Sequence, residues 1–274
     1  MQGLIYYNIG MKCLVRLAVS ISTLVNYFAD QITILADEDG YSECEKIAKH
    51  FCVNIMKTNF SHIDGKNIPF LNKCRLNVKT PYDKTIFLDS DTIVLNNFYE
   101  VFKMLDDHEF IVTQMCKWQS NRNPYRKRIE GWKNHINREI FDHAFDEPKA
   151  VNIGFYAWRK GAKIFDNWLY TAMKYQESFI PDEVACQILL PHVPHMVIGS
   201  EYNTSCKHEE LTENSKTLHF HGRKHCRIDE KGNYLYHSDS WYRQFDKIKE
   251  WSFVKDNIKY DAQLRRNLPI HDKM

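Results

Sequence analysis

The first sixty residues alternate between short apolar runs and longer stretches whose apolar positions recur at helical spacing, and this alternation restricts the fold classes open to the chain. Gly3 to Asn8 reads as a strand. Met11 to Phe28 carries Leu14, Leu17, Ala18, Ile21, Leu24, Val25 and Phe28 at helical spacing. Gln31 to Ala36 is a second strand, Ser42 to Phe51 a second amphipathic helix, and Cys52 to Met56 a third strand. Parallel neighbours need a crossover, usually a helix, to bring the chain back. The β-α-β-α-β order therefore predicts an α/β fold with a mostly parallel central sheet flanked by helices.

The next strand signal carries chemistry. In Ile86 to Leu95 (IFLDSDTIVL) three apolar residues run into Asp89-Ser90-Asp91, and apolar sequence resumes at once. On a strand, residues two apart point the same way, so the pattern predicts both carboxylates on one side at a strand end. That arrangement is costly unless a cation lies between them, and a hard divalent ion with oxygen ligands fits best. A solvated turn is the competing account. An EF-hand loop is excluded, because its glycine position falls on Val94. In open α/β sheets ligands gather at the carboxyl ends of strands. Asn8, Asp37 and the Asp89/Asp91 pair all fall at such ends, which strengthens the metal reading.

Further along, Asn67 to Val78 predicts a helix bearing Lys73 and Arg75, and Asn97 to Leu105 another. Glu109 to Met115 and Lys149 to Trp158 read as strands, and Gly161 to Tyr175 and Asp182 to Leu190 as helices. Met196 to Gly222 holds short strands and loops, and Ser240 to Leu268 is a helical tail. Lys117 to Lys149 is polar, basic and aromatic, the least regular region. With no repeats or linker, residues 1–274 read as one domain. Its nucleotide-binding part is about residues 1–115, and its acceptor-side part with the helical tail about 116–274.

A net charge of +2 gives no global case for a nucleic-acid partner, and the basic stretch from Arg122 to Arg138 reads as acceptor surface or solvated face. Eight cysteines without a CxxC read as reduced thiols. The apolar run Leu14 to Val25 is short and interrupted by Arg16, so neither a signal peptide nor a transmembrane segment is expected. A cytoplasmic location is the default, with a domain of a membrane-anchored parent as the alternative.

Three further clusters stand out. Asn152-Ile153-Gly154 interrupts an apolar strand, which marks either the close approach of a ligand or a bulge. Asp182-Glu183 follows Pro181 at a helix start, where carboxylates either cap the helix or serve chemistry. His219-Phe220-His221-Gly222-Arg223-Lys224-His225 offers an imidazole for a metal, a glycine that admits phosphate and cations to hold it. A zinc site from Cys206, His219, His221, His225 and Cys226 fits zinc-ligand spacings poorly.

Together these residues resemble the nucleotide-sugar glycosyltransferases of the GT-A fold, specifically the glycogenin-like family 8, over roughly Gly3 to Lys224. The resemblance implies a single Rossmann-like GT-A domain in which Asp89, Asp91 and His219 bind Mn²⁺ or Mg²⁺. It implies that Tyr6, Tyr7 and Asn8 line the base and ribose pocket and that Lys73 contacts the donor. Ser90 and Gly154 belong to the same nucleotide-sugar site. Asn152 and Asp182 face the donor sugar as the catalytic candidates, and Gly222 with Lys224 takes the diphosphate. The family carries a lysine three residues after that glycine, a place held here by His225, with Lys224 one step early. Its acidic pair commonly reads Asp-Gln, here Asp182-Glu183. The implied activity is metal-dependent transfer of a hexose, of glucose or galactose type, from a UDP-sugar to a glycan or protein acceptor, with retention of configuration. A homodimer is a candidate assembly. A non-catalytic sugar-nucleotide or glycan-binding protein on the same fold is the alternative. A sugar-1-phosphate nucleotidyltransferase would need a glycine-rich basic loop after the first strand, which Asn8 to Lys12 does not supply.

Overall fold

The opening alternation is realised in the computed structural model, which describes residues 1–28, 31–60, 68–115, 150–174, 176, 180–207, 211–222 and 224–267. Strands β1 (Gln2–Asn8), β2 (Ile32–Ala36) and β3 (Asn54–Lys57) alternate with helices α1 (Leu14–Leu24) and α2 (Tyr41–Phe51). Both strand pairs are parallel, with Leu4 opposite Ile32 and Thr33 opposite Asn54. β2 is buried along its whole length, as its unbroken ITILA run demands. α2 buries Cys44, Ile47 and Ala48 and turns its charged residues outward, and it ends where Cys52 adopts a left-handed conformation at φ 56.

The chain divides into two units whose segments interleave. The unit built on β1 to β3 also takes residues 88–98 and everything from Glu201 onward. It holds a second, three-stranded sheet of β5 (Thr92–Val94), β10 (Thr217–His219) and β9 (Thr204–Ser205), with β10 in the middle. The tail folds as three separate helices, α7 (Ser238–Ile248), α8 (Ser252–Ile258) and α9 (Ala262–Asn267), and α1 packs on α7 and α8. α1 is buried on nearly every side, including Arg16 and Ser20. Buried polar residues on an apolar helix need partners, and Arg16 and Ser20 find theirs near the candidate site.

The other unit holds β4 (Lys84–Leu88), β6 (Phe110–Gln114), β7 (Val151–Arg159) and β8 (Met196–Ile198), in the order β4-β7-β6-β8. β6 runs antiparallel to β7 and parallel to β8. Its helices are α3 (Ile68–Lys73), α4 (Glu100–Asp107), α5 (Trp168–Lys174) and α6 (Pro181–Leu189). Its core is aromatic. Tyr156 stacks on Trp158 at 5.3 Å between centroids, and the edge of Trp168 meets Phe110 at 5.8 Å. Such pairs add about 0.5–1.5 kcal/mol each beyond their buried area.

Several expectations are corrected. The helix expected over Asn67 to Val78 is broken: α3 ends at Lys73, and Arg75 precedes a separate 3₁₀ turn at Leu76–Val78. The helix expected from Gly161 likewise splits into a 3₁₀ turn at Lys163–Asp166 and α5. β4 ends at Leu88, just before the carboxylate pair, and the apolar run that resumes after Asp91 forms a strand of its own, β5. The irregular basic stretch from Arg122 to Arg138 lies outside the described residues. Among the described residues no helix is long and apolar enough to cross a membrane.

Candidate functional site

Asp89, Ser90 and Asp91 sit on the turn between β4 and β5, not on a strand, so their convergence does not come from strand alternation. The small sheet brings it about. β5 pairs antiparallel with β10 so that His219 lies opposite Thr92, and the Phe220 N–H donates to the Asp91 carbonyl at 2.8 Å. One imidazole and two carboxylates thereby meet. His219 Nε2 is 3.2 Å from Asp91 Oδ1 and 3.8 Å from Asp89 Oδ2, and one ligand atom from each residue lies within 4.8 Å of the others. The histidine side chain is 6% exposed and the carboxylates 20% and 17%, so the group is recessed yet open to a ligand.

The donor set fits a divalent ion. Adjacent ligands on an octahedral ion with bonds of about 2.1 Å are about 3 Å apart, close to the imidazole–Asp91 separation. Two oxygens and one nitrogen suit Mn²⁺ or Mg²⁺ and leave positions for water and substrate oxygens. They do not make the closed nitrogen–sulfur set of structural zinc. Nor do the zinc alternative's other histidines join the group. His221 Nε2 shares a 2.6 Å hydrogen bond with Ser205 Oγ, and His225 turns inward, its Nε2 3.2 Å from Asp261 Oδ2. Burial first, then the neighbouring His219 and lysines, hold His221 down at about 3, so it is a neutral imidazole.

A line of hydroxyls supports the turn from below. Thr92 Oγ1 donates to the Asp89 carbonyl at 2.8 Å, Ser20 Oγ lies 3.1 Å from Thr92 Oγ1, and Tyr6 Oη lies 2.9 Å from Ser20 Oγ. Each hydroxyl has one proton, so the direction is determined: Tyr6 donates to Ser20, Ser20 to Thr92, and Thr92 to Asp89. Burial raises the Tyr6 phenol, which keeps it a donor. Tyr6 is fully buried, and the relay is where its hydroxyl goes. Tyr7 is half-buried, and Asn8 is buried with its Nδ2 donating to the Gly10 carbonyl at 2.8 Å. Asp37 is more than a solvated turn. Its Oδ1 accepts from the Gly10 and Gly40 N–H groups, both at 2.9 Å, tying the carboxyl ends of β1 and β2. A side chain at Gly40 would come within 2.8 Å of Asn8 Nδ2 and the Gly10 carbonyl.

Behind His219 the chain turns at Gly222, where φ is +68, and the Lys224 ammonium folds back to donate to the His221 carbonyl at 2.9 Å. The place where the resemblance expects a lysine is held by His225, which is buried against Asp261.

In the other unit, Asn152 and Gly154 lie where the β6–β7 register breaks, so both the bulge and the polar interruption are present. Asn152 Oδ1 accepts from the Gly154 N–H at 2.9 Å, and its Nδ2 donates to Glu183 Oε2 at 3.0 Å. Asp182 is fully buried, and its backbone carbonyl accepts from Trp168 Nε1 at 2.8 Å. The acidic pair opens α6 with Pro181 in its first turn, after Ile180 in a left-handed conformation at φ 55. A β-branched residue there is strained, and the strain falls at a candidate site. Lys73 ends α3 with its ammonium over the Phe87 ring at 5.2 Å, while its carbonyl accepts from Tyr156 Oη.

Sequence reasoning missed Ser20, Thr92 and Ser205 as supports, and Asp261 as the partner of His225.

No family model matches the chain, and no curated protein matches its sequence. Its fold does match solved structures. The bifunctional glycosyltransferase WbbM in its apo form superposes with a TM-score of 0.63 at 10% identity, covering 94% of this chain and 51% of that one, so the chain spans about half of WbbM's length. The galactosyltransferase LgtC, solved with donor and acceptor sugar analogues, gives 0.61 at 12% identity, covering 90% and 96%. Mouse xyloside xylosyltransferase 1 in its apo form gives 0.57 at 13%, covering 80% and 97%. The fold is therefore the mixed α/β GT-A fold of these glycosyltransferases.

Proposed function

We propose that the chain is a metal-dependent glycosyltransferase, similar to glycogenin-like family 8, that takes a glucose- or galactose-type hexose from a UDP-sugar and passes it to a glycan or protein acceptor with retention. The observation that carries this reading is the meeting of Asp89, Asp91 and His219 on a GT-A fold. These three would hold the ion, which supplies positive charge for the departing nucleoside diphosphate. Gly222 permits the turn that returns the Lys224 ammonium to the same stretch of chain, where it adds a second positive charge. Tyr7 and Asn8 are proposed for the base and ribose, with Tyr6 acting from beneath through its hydroxyl. Lys73, Ser90 and Gly154 are proposed as further donor-binding groups. The sugar develops positive charge as its anomeric C–O bond opens, and Asp182 and Asn152 are the groups proposed to face it.

The test is a screen of UDP-sugar hydrolysis and transfer, with and without EDTA, on the native chain and on Asp89→Asn and Asp91→Asn. Each substitution should weaken Mn²⁺ binding at least about 100-fold and abolish metal-dependent turnover. Variants that turn over like the native chain would sink the assignment. Mn²⁺-dependent UDP binding with no turnover on any donor would instead identify a binding protein on this fold.

A further inference from the structure

The helical tail, which lies beyond the stretch that resembles family 8, reaches back to the candidate site at three consecutive residues. Asp261 Oδ2 lies 3.2 Å from His225 Nε2, and Asn267 Nδ2 donates to the Cys226 carbonyl. The Arg227 carbonyl accepts from Ser238 Oγ, at the start of α7, at 2.6 Å and from the Leu235 N–H at 2.9 Å. These three residues follow directly on Lys224. Upstream, the Lys224 N–H donates to the Phe220 carbonyl at 3.2 Å, and the Phe220 N–H to the Asp91 carbonyl. The segment after β10 is therefore tied at one end to the carboxylate turn and at the other to the tail.

Asp261 also reaches a second stretch of the same unit. Its Oδ2 lies 3.2 Å from Arg16 Nε, and Arg16 Nη2 donates to the Lys12 carbonyl at 3.2 Å. Lys12 lies in the loop between β1 and α1, four residues after Asn8. One carboxylate oxygen thus faces a side chain tied to the loop after β1 and another from the segment after β10. The side chains of Arg16, His225 and Asp261 are 10%, 0% and 4% exposed, so little water competes for these contacts. Burial holds His225 below its ordinary value, and a neutral imidazole beside a carboxylate keeps its one ring proton on the nitrogen that faces it. Position 225, where the resemblance expects a lysine, serves here as an anchor.

We propose that Asp261 is a positioning residue for nucleotide binding: through Arg16 and His225 it fixes the loop after β1 and the turn after β10 at one spacing. A site assembled from two separate stretches binds well only if they are held in place before the ligand arrives. The identity of the ligand rests on the proposed function; the coupling of the two stretches does not.

Amide hydrogen exchange of the full chain reads that coupling without any ligand. Asp261→Asn keeps the size of the side chain and an oxygen for the α9 cap, and it removes the charge facing Arg16 and His225. The Phe220, Lys224 and Leu17 amides should then exchange at least about tenfold faster relative to the amides of β2. A rise shared equally by β2, or no rise, would overturn the coupling. Calorimetric titration with UDP at saturating Mn²⁺ reads the consequence. Asp261→Asn and His225→Leu should each weaken UDP roughly tenfold, and the two combined should lose little more than either alone. His225→Gln keeps an N–H within reach of the carboxylate and should restore most of the affinity. UDP binding unchanged in Asp261→Asn, or as weak in His225→Gln as in His225→Leu, would overturn the positioning role. A native chain that binds no UDP with Mn²⁺ would instead sink the proposed function, and the exchange rates would still decide the coupling.

Discussion

Thr92 holds the Asp89 carbonyl in place, and its hydroxyl is the last in a line that starts at Tyr6 on β1. Thr92→Val keeps the shape and removes the donor, so the Asp89 turn loses its support while Ser20 loses its acceptor. The expected cost is about 1–2 kcal/mol of stability, together with a roughly 10–100-fold loss of Mn²⁺ affinity of the kind seen when residues behind metal ligands are removed. Urea unfolding and Mn²⁺ titration of the same variant would read the two effects. A loss of stability with unchanged metal affinity would show that the relay only packs. Thiol reactivity is a second matter at this scale. Among the described cysteines only Cys52 is exposed. Burial pushes Cys44, Cys206 and Cys226 each up to about 12, and Cys74 and Cys186 well above their ordinary value. A thiolate is the reactive form, so labelling of a Cys116→Ser background should give one fast adduct, abolished by Cys52→Ser. Burial also raises half-buried Cys13, so fast labelling that survives Cys52→Ser would contradict the protection of the others.

At the level of elements, the feature of most consequence is how the last helix is tied down. Asp261 precedes α9, and its Oδ1 accepts from the Leu264 N–H at 3.1 Å and the Gln263 N–H at 3.2 Å, the geometry of a helix cap. Its Oδ2 faces Arg16 Nε of α1 and His225 Nε2, both at 3.2 Å, with all three side chains nearly buried. Removing one member leaves charge buried without its partner, so Asp261→Ala should cost about 3–5 kcal/mol. The pH dependence has a definite sign. Burial alone would raise the Asp261 carboxyl, but His225 and Arg16 outweigh it and hold it at about 2. Burial also pushes His225 below its ordinary value, with Asp261 pulling the other way. Both folded-state values lie below the unfolded ones, so the unfolded chain takes up protons first as the pH falls. The Asp261 contribution, roughly 2 kcal/mol, is complete above about pH 4 and disappears as pH approaches about 2. The burial of neutral His225 begins to weigh against folding below about pH 6.5. Urea unfolding across pH should show this acid-side loss in the native chain and a shallower one in Asp261→Asn; equal slopes would remove Asp261 from the account.

For the whole molecule, a ligand that binds only the folded chain must raise its stability. Mn²⁺ with UDP at about a hundred times its dissociation constant should add about 2.7 kcal/mol, and Asp89→Asn should lose that gain. A thermal shift of equal size in both chains would place the nucleotide elsewhere. At this scale the two kinds of information also separate. The strands and helices of the first sixty residues were legible because hydrophobic period is a local property: β2 is buried at every position and α2 at one face, as their patterns require. Asp89 and Asp91 were legible because two carboxylates amid apolar residues are costly wherever they fold. Periodicity was a poorer guide where the backbone bends: the helical pattern from Asn67 runs on to Val78, past the end of α3 at Lys73.

By itself, then, the sequence determined the α/β class, the order of elements, and the carboxylate pair with its histidine as a ligand candidate. Tertiary structure decided how those residues meet. The β5–β10 pairing carries His219 to a turn more than a hundred residues earlier, the β9–β10 pairing sets Ser205 beside His219, and Asp261 withdraws His225 into the interior. Hydrophobic period is written in neighbouring residues, whereas a pairing between distant short strands depends on which surfaces the rest of the core leaves to be covered.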